Sequence, residues 1–219
     1  MQSLFSYDSK FMQLLQKLAD CIILNVIYLA CCIPVFTIGA AQSGLYNALR
    51  TLTDKENDSS CVKAFFRGFS NGFKTITPVW LVSSIITVVL GYVTLSVYVL
   101  RQSGAAYGTM PFVLGIIATA ISAIYQSMMT LFHAFFGCTR KQLIRNTFWV
   151  ILANPLQSIV TALLVWGPVI LFFVHFPLLL QSAVLIFFLY YSLAMSISVL
   201  LIKKPFGRLI DRFNQAETE

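Results

Sequence analysis

Residues 31–41 read CCIPVFTIGAA and stand at the end of an apolar run that begins at Leu18. The run is long enough to cross a bilayer as a helix. Pro34 has no backbone N–H to donate to the carbonyl four residues earlier, so it kinks or ends a helix. Thr37 can donate to a carbonyl that is left free, and Gly39 lets another chain segment approach closely. The stretch therefore predicts a hinge at the end of the first apolar helix.

The composition is that of a protein whose solvent is lipid. Apolar residues make up 58% of the 219 residues and charged residues 11%. Soluble domains carry about 25% charged residues, and so few charges could not cover this much apolar surface. The apolar runs are continuous, whereas the strands of a membrane β-barrel alternate apolar and polar residues. We therefore predict an all-α integral membrane protein, with residues 1–219 in a single membrane domain.

Five apolar runs are each long enough to cross the membrane with some tilt. They cover residues 18–39, 76–100, 110–136, 148–174 and 178–202. The last four runs contain no Lys, Arg, Asp or Glu. The pattern predicts five transmembrane helices.

Basic residues gather on one side of this five-span arrangement. Most of them lie in three segments, which are residues 40–75, residues 137–147 and the tail after residue 202. The opposite side holds Lys10, Lys17 and Arg101. Because cytoplasmic segments are enriched in Lys and Arg, we predict an outer N-terminus and an inner C-terminus in the plasma membrane. This distribution accounts for the net charge of +7, and no nucleic-acid partner is expected.

Residues 61–74, CVKAFFRGFSNGFK, combine basic residues with Phe at helical spacing. This pattern is typical of an amphipathic helix that lies in the headgroup layer of a membrane. Its basic side chains favour anionic headgroups. Docking of a cytoplasmic or membrane protein is the alternative for the same surface. The candidate binding residues are Lys63, Phe66, Arg67, Phe69, Asn71, Phe73 and Lys74.

A few polar side chains fall within the apolar runs. Gln126 and His133 are seven residues apart and share a helix face, and Asn154 and Gln157 follow in the next run. We predict a polar seam between the two runs, which serves either as hydrogen bonding between helices or as a ligand path. Asp20, three residues after a lysine, is expected to form an ion pair near the membrane surface.

The residues needed for chemistry are few. The chain has five cysteines without a CxxC pair and two histidines, so a disulfide framework or a metal site is not expected. General acid–base catalysis needs titratable groups within reach of one another, and the apolar runs offer little besides His133. Neither a phosphate-binding loop nor a nucleophile elbow is found. We therefore predict no catalytic, cofactor or metal site, and not an enzyme.

The stretch from Asp20 to Leu49 resembles the N-terminal signature of the YesL-like family of bacterial membrane proteins, and the resemblance covers nearly the whole chain. The family pattern places an Asp, then Leu-Asn, then Leu-Pro-x-x-Thr-x-Gly and a stretch ending in Leu-Tyr. The matching positions are Asp20, Leu24, Asn25, Ile33, Pro34, Thr37, Gly39, Leu45 and Tyr46. The family's Phe-rich block resembles FFRGFSNGFK at residues 65–74, and its later basic block resembles LIRNTFWVILANP at residues 143–155. Ile33 departs from the usual Leu.

The resemblance implies a location and a set of neighbours. The family has no settled biochemical activity, and its members tend to be encoded near sugar importers of the ATP-binding-cassette (ABC) type and near two-component sensors. It implies an accessory protein of a carbohydrate uptake or sensing system in the bacterial cytoplasmic membrane, with importer subunits as partners. The alternative is a small transporter or channel that uses the polar seam.

Overall fold

The computed structural model of the chain describes residues 10–53, 60–103, 109–174 and 189–216. Within these ranges the chain forms seven α-helices and no β-strand. The helices are α1 (Lys10–Cys32), α2 (Ile38–Thr53), α3 (Cys61–Gln102), α4 (Thr109–Phe136), α5 (Arg140–Ala153), α6 (Pro155–Val174) and α7 (Tyr191–Ala216). The predicted all-α class is confirmed for the described residues.

Three helices are long and apolar enough to cross a membrane, namely α1, α3 and α4. A fourth candidate is α5 together with α6, which meet at an angle of 111°. These lengths and compositions are those of a membrane protein. The described residues do not confirm five crossings, and the fifth predicted run, residues 178–202, lies partly outside them.

The first apolar run folds as one arm of a helical hairpin, and α2 is the other arm. The chain turns at Pro34, between the two helices. At the open end of the hairpin, an oxygen of the Asp20 carboxylate lies 4.0 Å from the sulfur of Cys61, the first residue of α3. At the closed end, the ring of Phe36 lies 6.4 Å from the ring of Phe73, further along α3. Both arms therefore lie beside the first part of α3.

Two helices replace the single kinked helix that the sequence predicted for the first crossing. The sequence predicted one kinked helix over residues 18–39, with Asp20 near its outer end and Cys61 on the inner side. The structure places these two residues in contact, so the middle of α1 lies beside the start of α3. The physical cause is Pro34, whose extended backbone (φ −76°, ψ 111°) ends α1 and does not merely kink it. The predicted outer N-terminus depended on that crossing and is not confirmed.

Glycines let the backbones of α2 and α3 touch. A Cβ atom placed on Gly44 would lie 2.9 Å from the carbonyl oxygen of Phe65, and one placed on Gly68 would lie 2.8 Å from the Cβ of Asn47. Both distances are too short for a real Cβ atom. The contact also includes a hydrogen bond of 2.7 Å, in which Asn47 Nδ2 donates to the carbonyl of Ala64. Small residues at this spacing are how helices in lipid pack closely.

The 42 residues of α3 join the predicted amphipathic segment and the second predicted span in one helix. At 1.5 Å per residue the helix is about 63 Å long, roughly twice the thickness of a bilayer's hydrocarbon core. Its exposed side chains up to Lys74 include the basic ones, whereas those from Val82 to Leu100 are apolar. The predicted placement of residues 61–74 in the headgroup layer stays a prediction.

The predicted fourth span, residues 148–174, is divided by a break at Asn154. The helix α5 ends there, and α6 begins at Pro155. The first residue of a helix has no helical acceptor for its N–H, so a proline is tolerated at this position. Because the two helices meet at 111°, the helix that continues into the apolar part of the bundle starts at Pro155 and not at Phe148.

A proline also explains how α5 is held against α3. Pro78 lies inside α3 and cannot donate to the carbonyl of Lys74, four residues earlier. That carbonyl accepts two hydrogen bonds from the Arg140 guanidinium, at 3.2 Å from Nε and 2.6 Å from Nη2. The first residue of α5 therefore binds the carbonyl that Pro78 leaves free.

The end of α4 packs against α7 through a cluster of aromatic rings. Phe206 of α7 is fully buried, and its ring lies between 5.1 and 6.0 Å from those of Phe132, Phe135 and Phe136. The basic loop after α4 and the basic tail in α7 consequently lie at one end of the bundle.

We predict that Gly44→Ala destabilises the protein in detergent. The added Cβ would collide with a backbone oxygen that cannot move away without separating α2 from α3. The expected loss is about 1–3 kcal/mol, measured by thermal unfolding of the purified protein. Gly91→Ala on α3 is the matched control, because a Cβ there would meet its nearest neighbour at 4.0 Å. Equal melting temperatures for the two variants would contradict the proposed close contact.

A second prediction concerns the link between Pro78 and Arg140. Arg140→Ala should lower the free energy of unfolding by about 1 kcal/mol, because an exposed charge-assisted pair contributes modestly. In a Pro78→Ala background the loss should shrink to less than half, because residue 78 then donates to the Lys74 carbonyl. Chemical unfolding of the four proteins of this double-mutant cycle measures the coupling. Lys141→Ala serves as the control, and identical losses for Arg140→Ala in both backgrounds would exclude the link.

Candidate functional site

The residues of the N-terminal motif hold the hairpin to the rest of the bundle. Asn25 is completely buried, and its Oδ1 accepts a hydrogen bond of 3.1 Å from the backbone N–H of Ser192. The hydroxyl of Ser192 donates to the carbonyl of Cys21 at 2.8 Å. Ser192 is the second residue of α7. Asn25 therefore anchors the start of α7 to α1.

The turn itself is stabilised by Thr37 and made compact by Gly39. The Thr37 hydroxyl lies within hydrogen-bond distance of the carbonyls of Cys31 and Pro34, at the end of α1 and in the turn. A Cβ atom on Gly39 would lie 2.5 Å from Cγ of Trp80, so the absence of a side chain makes room for the indole. The turn thus packs against the middle of α3, where Gly39 contacts Trp80.

Asp20 faces a thiol. Its carboxylate accepts from Cys61 Sγ, and no salt bridge to Lys17 is found among the described residues. The predicted ion pair between these two residues is replaced by a contact between α1 and α3. Asp20 is half-buried in that contact, whereas Lys17 is exposed.

The residues predicted to form a polar seam are divided between two places. Gln126 and His133 are buried on one face of α4, as their spacing predicts. His133 Nδ1 lies 3.1 Å from the hydroxyl of Ser43 on α2, and Gln126 Nε2 donates to the hydroxyl of Ser84 on α3. These side chains therefore point to α2 and α3, which precede α4 in sequence.

Asn154 and Gln157 lie apart from that pair. Asn154 ends α5, where its side-chain amide approaches the carbonyl of Val150 at 3.5 Å and its own carbonyl accepts from Ser158. Gln157 is half-buried in the first turn of α6. Within the described part of the chain, no hydrogen bond joins either residue to Gln126 or His133.

The predicted docking residues form an exposed stripe on the first part of α3, which we call the basic face. Its exposed members are Lys63, Phe66, Arg67, Asn71, Phe73 and Lys74. Phe69 is half-buried, because its ring lies between those of Phe65 and Phe73 at 6.3 and 6.0 Å. The opposite side of the helix is buried against α2. Phe66 is 50% exposed and Phe73 is 38% exposed, so the basic face carries two exposed aromatic rings beside its cationic side chains.

Two arginines that the sequence analysis did not single out belong to the frame of this end of the bundle. Arg50 Nη1 donates to the carbonyl of Phe135 at 3.1 Å, and its guanidinium lies 4.9 Å from the centre of that ring. Arg140 binds the Lys74 carbonyl, as described above. Neither contact has a local sequence signal, because each joins a side chain to a carbonyl that is more than sixty residues away.

The described residues contain no group of three His, Cys, Asp or Glu side chains that could hold a metal ion. Cys138 lies between α4 and α5, and burial raises the pKa of its thiol, so the thiol stays protonated at neutral pH. The chemical groups that the basic face exposes are cationic side chains and aromatic rings.

Comparison with known proteins finds a family match for one part of the chain. No curated protein and no solved structure shows a significant match. Residues 21–94 match a family described as "Protein of unknown function, DUF624". The matched region holds most of α1, the turn at Pro34, α2, and α3 as far as Thr94. The part of the chain that is similar to this uncharacterised family is thus the hairpin together with the helix on which it packs.

Proposed function

We propose that the chain is a multi-pass protein of the bacterial cytoplasmic membrane whose basic end faces the cytoplasm. In this arrangement α3, α4 and α6 each cross once, and the predicted run over residues 178–202, which lies partly outside the described residues, is the fourth crossing. The hairpin of α1 and α2 enters from the cytoplasmic side and returns to it. Both termini are then inside, and the N-terminus is not outside as the five-span interpretation required.

Charge supports this orientation. With Asp20 beside the start of α3, the half of α1 that carries Lys10 and Lys17 lies on the same side of the bundle as the first basic residues of α3. The five-span arrangement left Lys10 and Lys17 on the opposite side. Since Lys and Arg accumulate in cytoplasmic segments, the four-crossing arrangement agrees better with the sequence.

The proposed role is that of a non-catalytic accessory protein that docks a membrane partner on its basic face. The observation that carries this proposal is the exposure of Phe66 and Phe73 among Lys63, Arg67 and Lys74. Aromatic residues and Arg are enriched at protein interfaces, so Phe66, Arg67 and Phe73 support docking at this face. Anionic lipid headgroups are the competing occupant of the same face.

The class of partner comes from the resemblance to the YesL-like family. That resemblance favours the transmembrane subunits of a sugar importer of the ABC type, or a sensor of the same system. The matched segment, residues 21–94, includes the basic face as well as the hairpin. Carbohydrate uptake is thus a proposal about the partner, while the basic face is the surface that would meet it.

The alternative of a transporter or channel loses its main support. It depended on a polar seam of Gln126, His133, Asn154 and Gln157 between two successive spans. The structure gives Gln126 and His133 partners on α3 and α2, and it places Asn154 at a helix break. Hydrogen bonding between helices accounts for the first two side chains.

The docking role predicts a specific cross-linking pattern in living cells. A photoreactive phenylalanine at position 66 or 73 should form an adduct with a transmembrane subunit of a sugar importer, identified by mass spectrometry. The same residue at position 88 is the control, because Val88 is 69% exposed in the apolar part of the same helix. Adducts with lipid alone at all three positions would assign the basic face to headgroups and refute docking.

Charge reversal tests whether the cations contribute. Lys63→Glu, Arg67→Glu and Lys74→Glu in combination should abolish the protein adduct at position 66. The matched control reverses Lys141 and Arg145, which are equally exposed but lie on α5. Loss of the adduct with the control variant as well would mean that general charge, and not the basic face, attracts the partner.

A further inference from the structure

A cavity of about 580 Å³ lies where the turn at Pro34 meets α3. Its walls come from the hairpin, α3, α4, α6 and α7, and they include Tyr28, Val35, Trp80, Gln126, Trp166 and Tyr191. This volume is within the range of sites that hold small molecules. The cavity is separate from the basic face, and an inference about it does not depend on the docking role.

The lining of the cavity is apolar and carries no charge. None of its lining residues is Lys, Arg, Asp, Glu or His. An ionised ligand would lose its hydration there without gaining a counter-ion, which is costly in a medium of low polarity. The occupant is therefore uncharged.

Three side chains of the lining keep a buried polar atom without a hydrogen-bond partner. They are the indole N–H groups of Trp80 and Trp166 and the amide oxygen of Gln126. Trp80 and Gln126 are less than one-tenth exposed. Buried polar groups are nearly always hydrogen-bonded in folded proteins, so three in one cavity call for an explanation. Two donors and one acceptor match a ligand that carries both carbonyl and hydroxyl groups.

The cavity opens toward lipid. At its edge Val35, Ile85 and Val88 are 67%, 62% and 69% exposed, and they belong to the turn and to the apolar part of α3. A molecule that partitions into the bilayer can enter between them without crossing water. The ligand is consequently a lipid or a lipid-like amphiphile.

A second cavity on the other side of Trp166 provides a comparison. It has a similar volume, about 570 Å³, and lies between α3, α4 and α6. Its lining threonines, Thr87, Thr94 and Thr119, each donate to a carbonyl four residues earlier in their own helix. Its hydroxyls are partnered, and Trp166 lines both cavities, so the unpartnered groups of Trp80 and Gln126 distinguish the first cavity.

We propose that the cavity beside the Pro34 turn binds a neutral acylglycerol, a lipid whose ester carbonyls accept from Trp80 and Trp166 and whose free hydroxyl donates to Gln126. The acyl chain lies against the apolar walls and extends through the opening to the bilayer. The motif Pro34-x-x-Thr37-x-Gly39 builds one wall of this site, because the turn positions Val35 and Gly39 admits the Trp80 ring.

Tryptophan fluorescence tests the proposal. The chain has three tryptophans, and the third, Trp149, is 63% exposed on α5. In a Trp149→Phe variant, both remaining tryptophans line the cavity. Diacylglycerol with brominated acyl chains, at a low mole fraction in phosphatidylcholine vesicles, should quench their emission. Brominated phosphatidylglycerol at the same mole fraction should quench these tryptophans only as much as non-specific contact with lipid does. Diacylglycerol should likewise give only non-specific quenching in a variant that retains Trp149 alone.

Equal quenching by the two brominated lipids, or equal quenching of Trp149, would overturn the proposal in favour of general lipid contact. A Gln126→Leu substitution should raise the mole fraction needed for half-maximal quenching about three- to tenfold, since it removes one hydrogen bond. Gln157→Leu is the matched control, because Gln157 does not line the cavity, and it should leave quenching unchanged. Circular dichroism and thermal unfolding establish that both variants fold, and unchanged quenching in a folded Gln126→Leu variant would also contradict the site.

Discussion

The close contact of α2 with α3 is the constraint on which the rest of the structure depends. In lipid, helices gain little from burying apolar side chains against one another, so association depends on close packing and hydrogen bonds. Gly44 and Gly68 supply the close packing, and Asn47 adds a hydrogen bond to a backbone carbonyl of the facing helix. Once α2 is held along α3, the chain before it has to reverse direction within a few residues. Pro34 and Thr37 make that reversal possible.

The reversal has consequences at both ends of the hairpin. At its open end, it brings Asp20, in the middle of α1, to the start of α3, beside the first residues of the basic face. At its closed end, the turn is pressed against Trp80 and completes the wall of a cavity that opens toward lipid. The reversal thus supports the orientation that we propose for the protein and forms one wall of an internal cavity. The two proposals remain separate, because the basic face meets a partner at the membrane surface and the cavity meets a lipid within it.

Much of the fold could be predicted from residue patterns, and the failures share one cause. Continuous apolar runs indicated helices over residues 76–100 and 110–136, which lie within α3 and α4. The spacing of Gln126 and His133 placed both on one buried face of α4, but their partners are on α2 and α3 and not on the following helix. Whether Pro34 kinks a helix or ends it depends on the surface that α2 finds on α3. A contact between distant segments decides that outcome, and no local pattern reports it.

The same reason applies to the candidate sites. Exposed cations and Phe residues on one helix face are visible as a helical repeat, so the basic face could be predicted from residues 61–74. The contact of Arg140 with the carbonyl of Lys74 could not, because it requires knowing which helix lies beside the free carbonyl. The cavity was likewise beyond prediction, since five separate elements supply its walls.

The most direct test of this account is a disulfide between positions 20 and 61. In a protein with Asp20→Cys, with Cys61 retained and the other four cysteines replaced by Ala, oxidation in native membranes should join the two thiols. Mass spectrometry then finds neither thiol open to alkylation, whereas Cys61 paired with Val88→Cys stays reduced as the control. If residues 18–39 crossed the membrane as a single span, positions 20 and 61 would be separated by about 30 Å of hydrocarbon. Both thiols would then remain free, and that result would contradict the hairpin and everything inferred from it.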